Sequence, residues 1–340
     1  MLANLIFKLT MQQSTLKELS ETLGLSISTV SRALKDHPDI SDSTKKRVKD
    51  LASLMEYEPN AYAIQLRTRQ SNVLGILLPS IDNFFYDSFI AAVEQEARLN
   101  GYSVLIMQSK DIAAVEQECL KLFRKNMIKG LFAALSIETT NLHPFQRLEE
   151  MGIPVIFFDR VPEISGYKKS CLADEAAARL AAEAIIAKNK KNVLAFFGHP
   201  HLSICKLRYA SFIKTFKELS PKTTVNIAWP EQIEASKIEA LKALGKKNRP
   251  DVIFCMGDMI LIGVMYAIHE LKLRVPEDIG VIGISNGFIP TMYNPKITYV
   301  ETSGFKLGKL AANQMFACLN KKNSAEEVFL DSIFVEGGSL

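Results

Sequence analysis

Hydrophobic positions recur at helical spacing through residues 15–55. Thr15 begins the first predicted helix with a Thr-x-x-Glu capping box, and Gly24 suits the left-handed residue that ends it. Ser26 and Ser41 are candidate N-caps of a second and a third helix. The predicted core positions are Leu16, Leu19, Leu23, Val30, Ala33, Leu34, Val48, Leu51, Leu54 and Met55. Three short helices with a tight turn between the first two form a helix-turn-helix unit.

From residue 72 onward, apolar runs of strand length alternate with amphipathic helical stretches such as "DSFIAAVEQEARLNG". The runs are "NVLGILLP", "YSVLIMQ", "GLFAALS", "IPVIFFD", "NVLAFFG", "VNIAW", "DVIFCMG" and "IGVIGIS". Uninterrupted apolar strands between helices predict parallel sheets covered on both faces. Because this number of strands is larger than one sheet usually holds, we expect an α/β fold with two Rossmann-like lobes, each built around its own sheet.

Ligands of open α/β sheets bind beyond the carboxyl ends of the strands. The residues that follow the predicted strands, directly or on the next helix, are Asp82, Asn83, Phe84, Phe85, Tyr86, Asp159, Arg160, His199, His201, Arg208, Asp258, Ser285 and Asn286. Aromatic faces beside amide donors suit the apolar faces and hydroxyl rims of a sugar ring. The structural alternatives are that Asp258 and Asp174 cap helices and that Asp159 and Arg160 form an ion pair.

The outward face of the second predicted helix is rich in hydroxyl groups and carries one arginine. Its residues are Ile27, Ser28, Thr29, Ser31 and Arg32. Short hydroxyl side chains let a helix approach a phosphate backbone, and an arginine can bind guanine O6 and N7 together. Basic residues for phosphate attraction follow at Lys45, Lys46, Arg47 and Lys49. The alternative is a helical cap with a solvated polar face.

Composition sets broad limits. A chain of 340 residues that is 48% hydrophobic and 23% charged, with net charge +4, is typical of a soluble globular protein. No apolar run approaches the ~18 residues of a membrane span, and "MLANLIFKL" lacks the features of a signal peptide, with Met11 as an alternative start. The five cysteines have no paired spacing, so we expect reduced thiols, a cytoplasmic protein and no partnership with a membrane.

The sequence contains no complete catalytic motif. "GISNG" matches the nucleophile-elbow pattern of α/β-hydrolases, but all five histidines precede Ser285, whereas that fold places its histidine after the serine. The sequence has no phosphate-binding loop and no dinucleotide fingerprint. His199, His201 and Cys205 form a weak candidate metal set, because structural zinc sites want four ligands at tighter spacing. We therefore expect no enzyme, no metal and no cofactor.

Three motifs carry a family resemblance. They are "STVSRALKD", then Y-x-P-N-x-x-A-x-x-L from Tyr57 to Leu66, then "NVLGILLPSIDNFF". Over about residues 14–337 the chain resembles the LacI/GalR family of bacterial transcriptional regulators. The resemblance implies a head at 14–59, a hinge helix or linker at 60–71, and a two-lobed periplasmic-binding-protein type I domain at 72–340 with three crossovers. Its N-lobe would comprise about 72–160 and 288–320, and its C-lobe about 161–287 and 321–340.

The resemblance also assigns roles to residues of the head. Ile27, Ser28 and Arg32 would read major-groove bases, while Thr29, Ser31 and Thr44 would bind phosphates, with Ser26 as the cap of the reading helix. The hinge helix would form on operator DNA and contribute Asn60, Ala63 and Leu66. Leu66 would wedge into the minor groove and kink the duplex. On residue grounds alone, this segment is also compatible with a plain interdomain linker.

Effector contacts implied by the resemblance lie at the strand ends. They are Asn83, Phe85, Tyr86, Asp159, Arg160, Arg208, Gly257, Ser285 and Glu301, to which the strand-end rule adds Asp258. The chain departs from the family pattern, since Gly257 stands where an Asn is usual, Ser285 where an Asp is usual and Glu301 where a Gln is common. These departures predict a different hydroxyl pattern, or a less polar or anionic effector.

The resulting expectation is a homodimeric DNA-binding transcriptional regulator, a repressor by resemblance. It would bind a pseudo-palindromic operator, with its affinity controlled by a small molecule, a sugar or a sugar-like metabolite, bound between the lobes. The alternative is a sugar-binding protein without DNA regulation. The sequence names neither the effector nor the operator.

Overall fold

The structure is a computed structural model that describes residues 15–57 and 71–340. The chain divides into two compact units, Met1–Gln70 and Ser71–Leu340. The helix-turn-helix head lies in the first unit and both β-sheets lie in the second. Among the helices of the described residues, none has the length and the apolar character that a membrane crossing requires.

The head contains three helices, α1 (Leu16–Leu23), α2 (Ile27–Leu34) and α3 (Asp42–Leu54). The predicted capping box is present, because Thr15 and Glu18 exchange bonds between their side chains and backbone N–H groups. Gly24 ends α1 with a φ of 66°, the left-handed conformation that glycine adopts without strain. Ser26 and Ser41 cap α2 and α3 as predicted. Local sequence signals therefore set where each of these helices begins.

The core of the head is small and fully apolar. Its fully or nearly buried residues are Leu19, Val30, Ala33, Val48 and Ala52. The prediction that Leu54 points inward is wrong, because its side chain is 81% exposed. Leu54 lies six residues beyond Val48, which places it about 120° away from Val48 around α3, whereas Ala52 is about one turn on from Val48 and takes the core position.

The second unit contains twelve strands in two six-stranded sheets. The strands are β1 (Val73–Leu78), β2 (Ser103–Gln108), β3 (Gly130–Ala133), β4 (Val155–Phe158), β5 (Lys168–Leu172), β6 (Asn192–Phe196), β7 (Thr224–Ala228), β8 (Val252–Cys255), β9 (Gly280–Ser285), β10 (Thr298–Glu301), β11 (Glu327–Leu330) and β12 (Ile333–Val335). The first sheet has the order β11-β5-β4-β3-β1-β2 and the second has β12-β10-β9-β8-β6-β7. All pairs are parallel except β10 with β12.

Helices cover the sheets. They are α4 (Phe84–Leu99), α5 (Ala113–Lys125), α6 (His143–Glu150), α7 (Asp174–Ala187), α8 (Ser203–Leu219), α9 (Ile233–Leu244), α10 (Asp258–Glu270) and α11 (Gly304–Leu319), with a 3-10 turn at Ile289–Met292. One apolar core lies between the first sheet and α4 with α11, and another lies on the opposite face under α5 and α6. A third core surrounds the second sheet. Each sheet with its helices therefore forms one lobe, as predicted.

The lobe limits differ from the predicted ones at three strands. β5 and β11 belong to the first sheet, and β10 belongs to the second. The chain thus passes from one sheet to the other three times, after β5, after β10 and after β11. The sequence pattern missed β5, β10, β11 and β12 because these strands are short or half-exposed and lack a continuous apolar run.

Candidate functional site

The outward face of α2 is exposed where the sequence predicts base contacts. Val30 and Ala33 are fully buried, so the side chains of Ile27, Ser28 and Arg32 are left on the exposed side of the helix. Ile27 is a large apolar side chain that is 49% exposed. Thr29, Ser31 and Thr44 are half-buried.

Hydroxyl groups at the start of α2 and α3 bond to each other. Ser26 Oγ accepts a bond from Thr29 N–H at 3.1 Å and lies 2.8 Å from both Ser28 Oγ and Thr29 Oγ1. Ser41 Oγ lies 2.9 Å from Thr44 Oγ1 in the same arrangement at α3. These clusters fix the first turn of each helix. Hydroxyl groups also donate to phosphate oxygens, so the same residues suit contact with a nucleic-acid backbone.

Cations of the head differ in how they are paired. Lys49 Nζ bonds to Asp36 at 2.6 Å, which lowers the pKa of that carboxyl group below its ordinary value. Arg32 has only a long contact with Asp39, at 3.8 Å between Nη1 and Oδ2. Its guanidinium therefore has donors to offer on the α2 face. The predicted hinge contacts Asn60, Ala63 and Leu66 lie outside the described residues.

A cavity of about 220 Å³ lies in the second unit, where residues beyond the strand ends of both lobes meet. All of the predicted effector residues except Glu301 line it. They are Asn83, Phe85, Tyr86, Asp159, Arg160, Arg208, Gly257, Asp258 and Ser285. The fold therefore brings together, in one cavity, residues that the strand-end rule selects from distant parts of the sequence.

The wall from the first lobe is built on two hydrogen bonds. Tyr86 donates its hydroxyl to Asp159 at 2.6 Å, and burial together with the Asp159 carboxylate raises the pKa of Tyr86 well above its ordinary value. Arg160 donates to Asp111 at 2.5 Å. Asp159 and Arg160 therefore have separate partners, Tyr86 and Asp111, which differs from the ion pair between them that was the structural alternative. Asp159 has a φ of 56°, a left-handed conformation that is uncommon for residues other than glycine, although Asp adopts it more readily than most.

The wall from the second lobe contains a buried ion pair. Arg208 donates through Nε to Asp174 Oδ1 at 2.7 Å and through Nη1 to the carbonyl oxygen of Met256 at 3.0 Å, and its Nη2 lies 2.6 Å from the same Asp174 oxygen. Both ionic side chains are only 6% exposed. Burial raises the pKa of Asp174, and the charge of Arg208 opposes this shift. Asp174 is thus the partner of Arg208 and makes no cap bond to α7.

Asp258 and Ser285 form a second polar pair in this wall. Ser285 Oγ donates to Asp258, and Asp258 also accepts a bond from Asn286 N–H at 3.2 Å. Burial raises the pKa of Asp258, against the effect of these two bonds. Ser285 Oγ accepts in turn from Gly287 N–H at 2.9 Å. Ser285, which stands where an Asp is usual in the family, therefore donates a hydrogen bond to the carboxylate of Asp258.

Glu301 is an exception among the predicted residues. Its carboxylate pairs with Lys306, and it does not line the cavity, although the neighbouring Thr302 does. Thr302 follows directly after β10, which ends at Glu301. Glu301 therefore does not line this cavity, and its contact with an effector stays a prediction.

Sequence reasoning missed several lining residues. Asp111 follows β2, Ile137 follows β3, Glu231 and Gln232 follow β7, and Thr302 follows β10. The strand-end rule would have selected Asp111 and Glu231, because both are acidic residues a few positions after a predicted strand. Among the described residues, no group of three His, Cys, Asp or Glu side chains could hold a metal ion. His199, His201 and Cys205 therefore do not form such a group.

Comparison with known proteins agrees with this architecture. Residues 15–60 match the family "Bacterial regulatory proteins, lacI family", and residues 182–340 match the periplasmic binding protein-like domain. The chain is 26% identical to the HTH-type transcriptional regulator RegA of Clostridium saccharobutylicum, over 92% of this chain and 95% of RegA. It is also 26% identical to the ribose operon repressor of Bacillus subtilis (strain 168), over 92% of this chain and 94% of that repressor.

A solved structure shares the fold. The Lac repressor dimer bound to operator and the anti-inducer ONPF superposes with a TM-score of 0.87 at 20% identity, covering 96% of this chain and 99% of that one. The curated relatives are named as regulators and repressors, in agreement with the expectation that the chain is not an enzyme. The chain therefore combines a lacI-family helix-turn-helix domain with a periplasmic-binding-protein-like domain, and its curated relatives over more than nine-tenths of its length are transcriptional regulators and repressors.

Proposed function

We propose that the protein is a transcriptional repressor whose affinity for operator DNA is controlled by a small polyhydroxylated molecule bound between the two lobes. The observation that carries the proposal is the presence, in one chain, of an exposed hydroxyl-rich α2 face and a polar cavity at the strand ends. The names of the curated relatives support repression, and that of the ribose operon repressor supports a sugar or sugar-like effector.

In this proposal α2 is the recognition helix. Ile27, Ser28 and Arg32 read base edges in the major groove, because they are the exposed residues of its first turns. Thr29, Ser31 and Thr44 bind phosphates, with Ser26 holding the first turn of the helix in place. The segment 60–71 acts as the hinge, where Asn60, Ala63 and Leu66 contact DNA.

The repressor acts as a homodimer, so that two heads bind two half-sites about one DNA turn apart. Exposed apolar side chains of the second unit support this assembly. Ile106 lies on the edge strand β2, Leu122 on α5, Ile238 on α9 and Tyr266 on α10, and all four are at least 40% exposed. Each lobe thus leaves apolar side chains exposed that a partner subunit would cover.

Control of DNA affinity rests on closure of the lobes around the effector. Contacts between lobes are present beside the cavity: Asn286, after β9, donates to the carbonyl oxygen of Phe84 at 3.2 Å, and the rings of Phe84 and Phe288 lie 5.9 Å apart. Lys206 on α8 bonds to Glu163 of the first lobe at 2.6 Å. A ligand that binds one arrangement of the lobes more tightly shifts the protein toward it.

The test is selection of duplex DNA from a randomised pool by the full-length protein. We expect a palindrome to be enriched, and substitution of Arg32→Ala to weaken binding of that palindrome by about 1–3 kcal/mol with little change on random DNA. Lys17→Ala is the matched control, because Lys17 is an exposed cation of the head that lies on α1. No enrichment at low salt would overturn the repressor function and leave the alternative, a small-molecule-binding protein. Equal loss on both DNAs would refute base reading by Arg32.

A further inference from the structure

The ionisable side chains of the inter-lobe cavity are mostly acidic. Four carboxylates and two guanidinium groups line it, together with one histidine, and the described residues contribute no lysine to its lining. The carboxylates belong to Asp111, Asp159, Glu231 and Asp258, and the cations to Arg160 and Arg208. An anionic ligand would therefore depend on the two arginines, and the question is whether their charge is available.

Arg160 lies among carboxylates of its own lobe. Its Nη1 donates to Asp111 Oδ1 at 2.5 Å, and its side chain is only 18% exposed. Asp159, the preceding residue, also lines the cavity. One guanidinium charge therefore faces two carboxylate charges, so this corner of the cavity is negative before any ligand enters.

Arg208 is neutralised in a similar way by Asp174. Two of its nitrogens contact Asp174 Oδ1 at 2.6–2.7 Å, and a third donates to the carbonyl oxygen of Met256. Because both side chains of the pair are buried, solvent screens the partner charge weakly. The field of Arg208 at the cavity is therefore largely cancelled by a carboxylate of this chain.

The remaining carboxylates have acceptor oxygens for a ligand. Asp159 accepts from Tyr86 through Oδ2, and its other oxygen has no bond to a described residue. The Glu231 carboxylate lies 4.0 Å from His199 Nε2 at its nearest approach. Two helix N-termini at the cavity offer an anion little, since Asn83 already caps α4 and the carboxylate of Asp258 occupies the first turn of α10.

We infer that the effector is an uncharged polyhydroxylated molecule, that phosphorylated and carboxylated forms are rejected, and that Asp111 is a specificity-determining residue for this choice. Hydroxyl groups donate to the free carboxylate oxygens and accept from the arginine N–H groups that remain, whereas a phosphate would add negative charge beside Asp111 and Asp159. The inference rests on the proposed function, because it names the ligand class of the same cavity.

The variant Asp111→Asn isolates the charge. Asn keeps the size of the side chain and the Oδ1 atom, which also accepts from Ile137 N–H at 3.0 Å, so the loop retains its bonds. Glu183→Gln is the matched control, because Glu183 pairs with Arg179 at 2.8 Å on the exposed side of α7, and neither residue lines the cavity.

The experiment measures binding by calorimetry for sugars paired with their charged forms: D-ribose with ribose 5-phosphate, and D-glucose with glucose 6-phosphate and gluconate. For the native protein we expect a neutral sugar to bind at least about tenfold more tightly than its charged counterpart. Asp111→Asn should reduce this ratio by about tenfold, mainly through tighter binding of the charged form, and Glu183→Gln should leave it unchanged.

Preference of the native protein for a charged form, an unchanged ratio in Asp111→Asn, or binding of no member of the panel would overturn the inference. Operator binding separates this failure from that of the proposed function. A protein that selects a palindrome but prefers a sugar phosphate refutes only the ligand class. A protein that rejects sugar phosphates but selects no DNA refutes only the repressor function.

Discussion

Replacement of Arg208 by methionine tests whether the buried pair of the cavity is as interdependent as its geometry implies. The variant Arg208→Met keeps an unbranched side chain but leaves Asp174, whose side chain is 6% exposed, without its cationic partner. Breaking a buried ion pair by removing one partner costs about 3–5 kcal/mol, because the other charge stays uncompensated. The carbonyl of Met256 also loses a donor, which adds about 1 kcal/mol.

The destabilisation caused by Arg208→Met should depend on pH, in a direction that follows from the pKa of Asp174. Burial raises the pKa of Asp174 in the folded protein, and Arg208 holds it down, so loss of Arg208 should raise this pKa further. A carboxyl group whose pKa is higher in the folded state than in the unfolded state favours folding when protonated, and this contribution is lost as pH rises through the folded pKa. Arg208→Met should therefore destabilise the protein more at pH 7 than at pH 5.

The assay is urea unfolding of native and variant proteins at both pH values, followed through a signal of the second unit. The double variant Arg208→Met, Asp174→Asn removes the uncompensated charge and should recover at least half of the lost free energy of unfolding. A loss below about 1 kcal/mol for Arg208→Met would refute the reasoning. An equal loss at the two pH values, with no recovery in the double variant, would do so as well.

Three further predictions concern the fold. Ser26→Ala removes the cap of α2 and should lower the stability of the head by about 1 kcal/mol in thermal unfolding, and a stability equal to the native head would exclude a capping role. Val48→Ala should cost the head about 1–3 kcal/mol while Leu54→Ala costs less than about 0.5, and the reverse order would contradict the observed orientation of α3. Gly263→Ala should destabilise the second unit by about 1–3 kcal/mol in urea unfolding. A Cβ at this position would overlap the carbonyl oxygen of Ile233 and lie 2.7 Å from Ser236 Cβ, where α9 packs on α10. An unchanged free energy of unfolding would show that the two helices separate freely.

The parts of the fold that the sequence predicts well are those set by short-range signals. The capping box at Thr15, the caps Ser26 and Ser41 and the glycine turn at Gly24 each depend on residues within one helical turn. The eight strands recognised from sequence are continuous or nearly continuous apolar runs. Both kinds of signal can be read from neighbours alone.

Structure set by distant partners could not be predicted in this way. Lys169 is buried in β5 because Glu327, on β11, pairs with it at 2.6 Å from 158 positions away. No local pattern distinguishes such a lysine from a surface one, so β5 and β11 were missed. The same holds for the Arg160–Asp111 bond, which joins residues 49 positions apart. The strand-end rule finds candidate residues, but their pairing depends on how the lobes are assembled.

Coupling between the cavity and the head is the central claim, and one titration tests it most directly. The affinity of the protein for its selected palindrome would be measured with and without a saturating sugar, and the affinity for that sugar with and without the palindrome. We expect both to change by the same factor, about 5- to 150-fold, because coupling between two binding sites is reciprocal. A sugar that saturates the cavity and leaves the affinity for the palindrome unchanged would contradict the account.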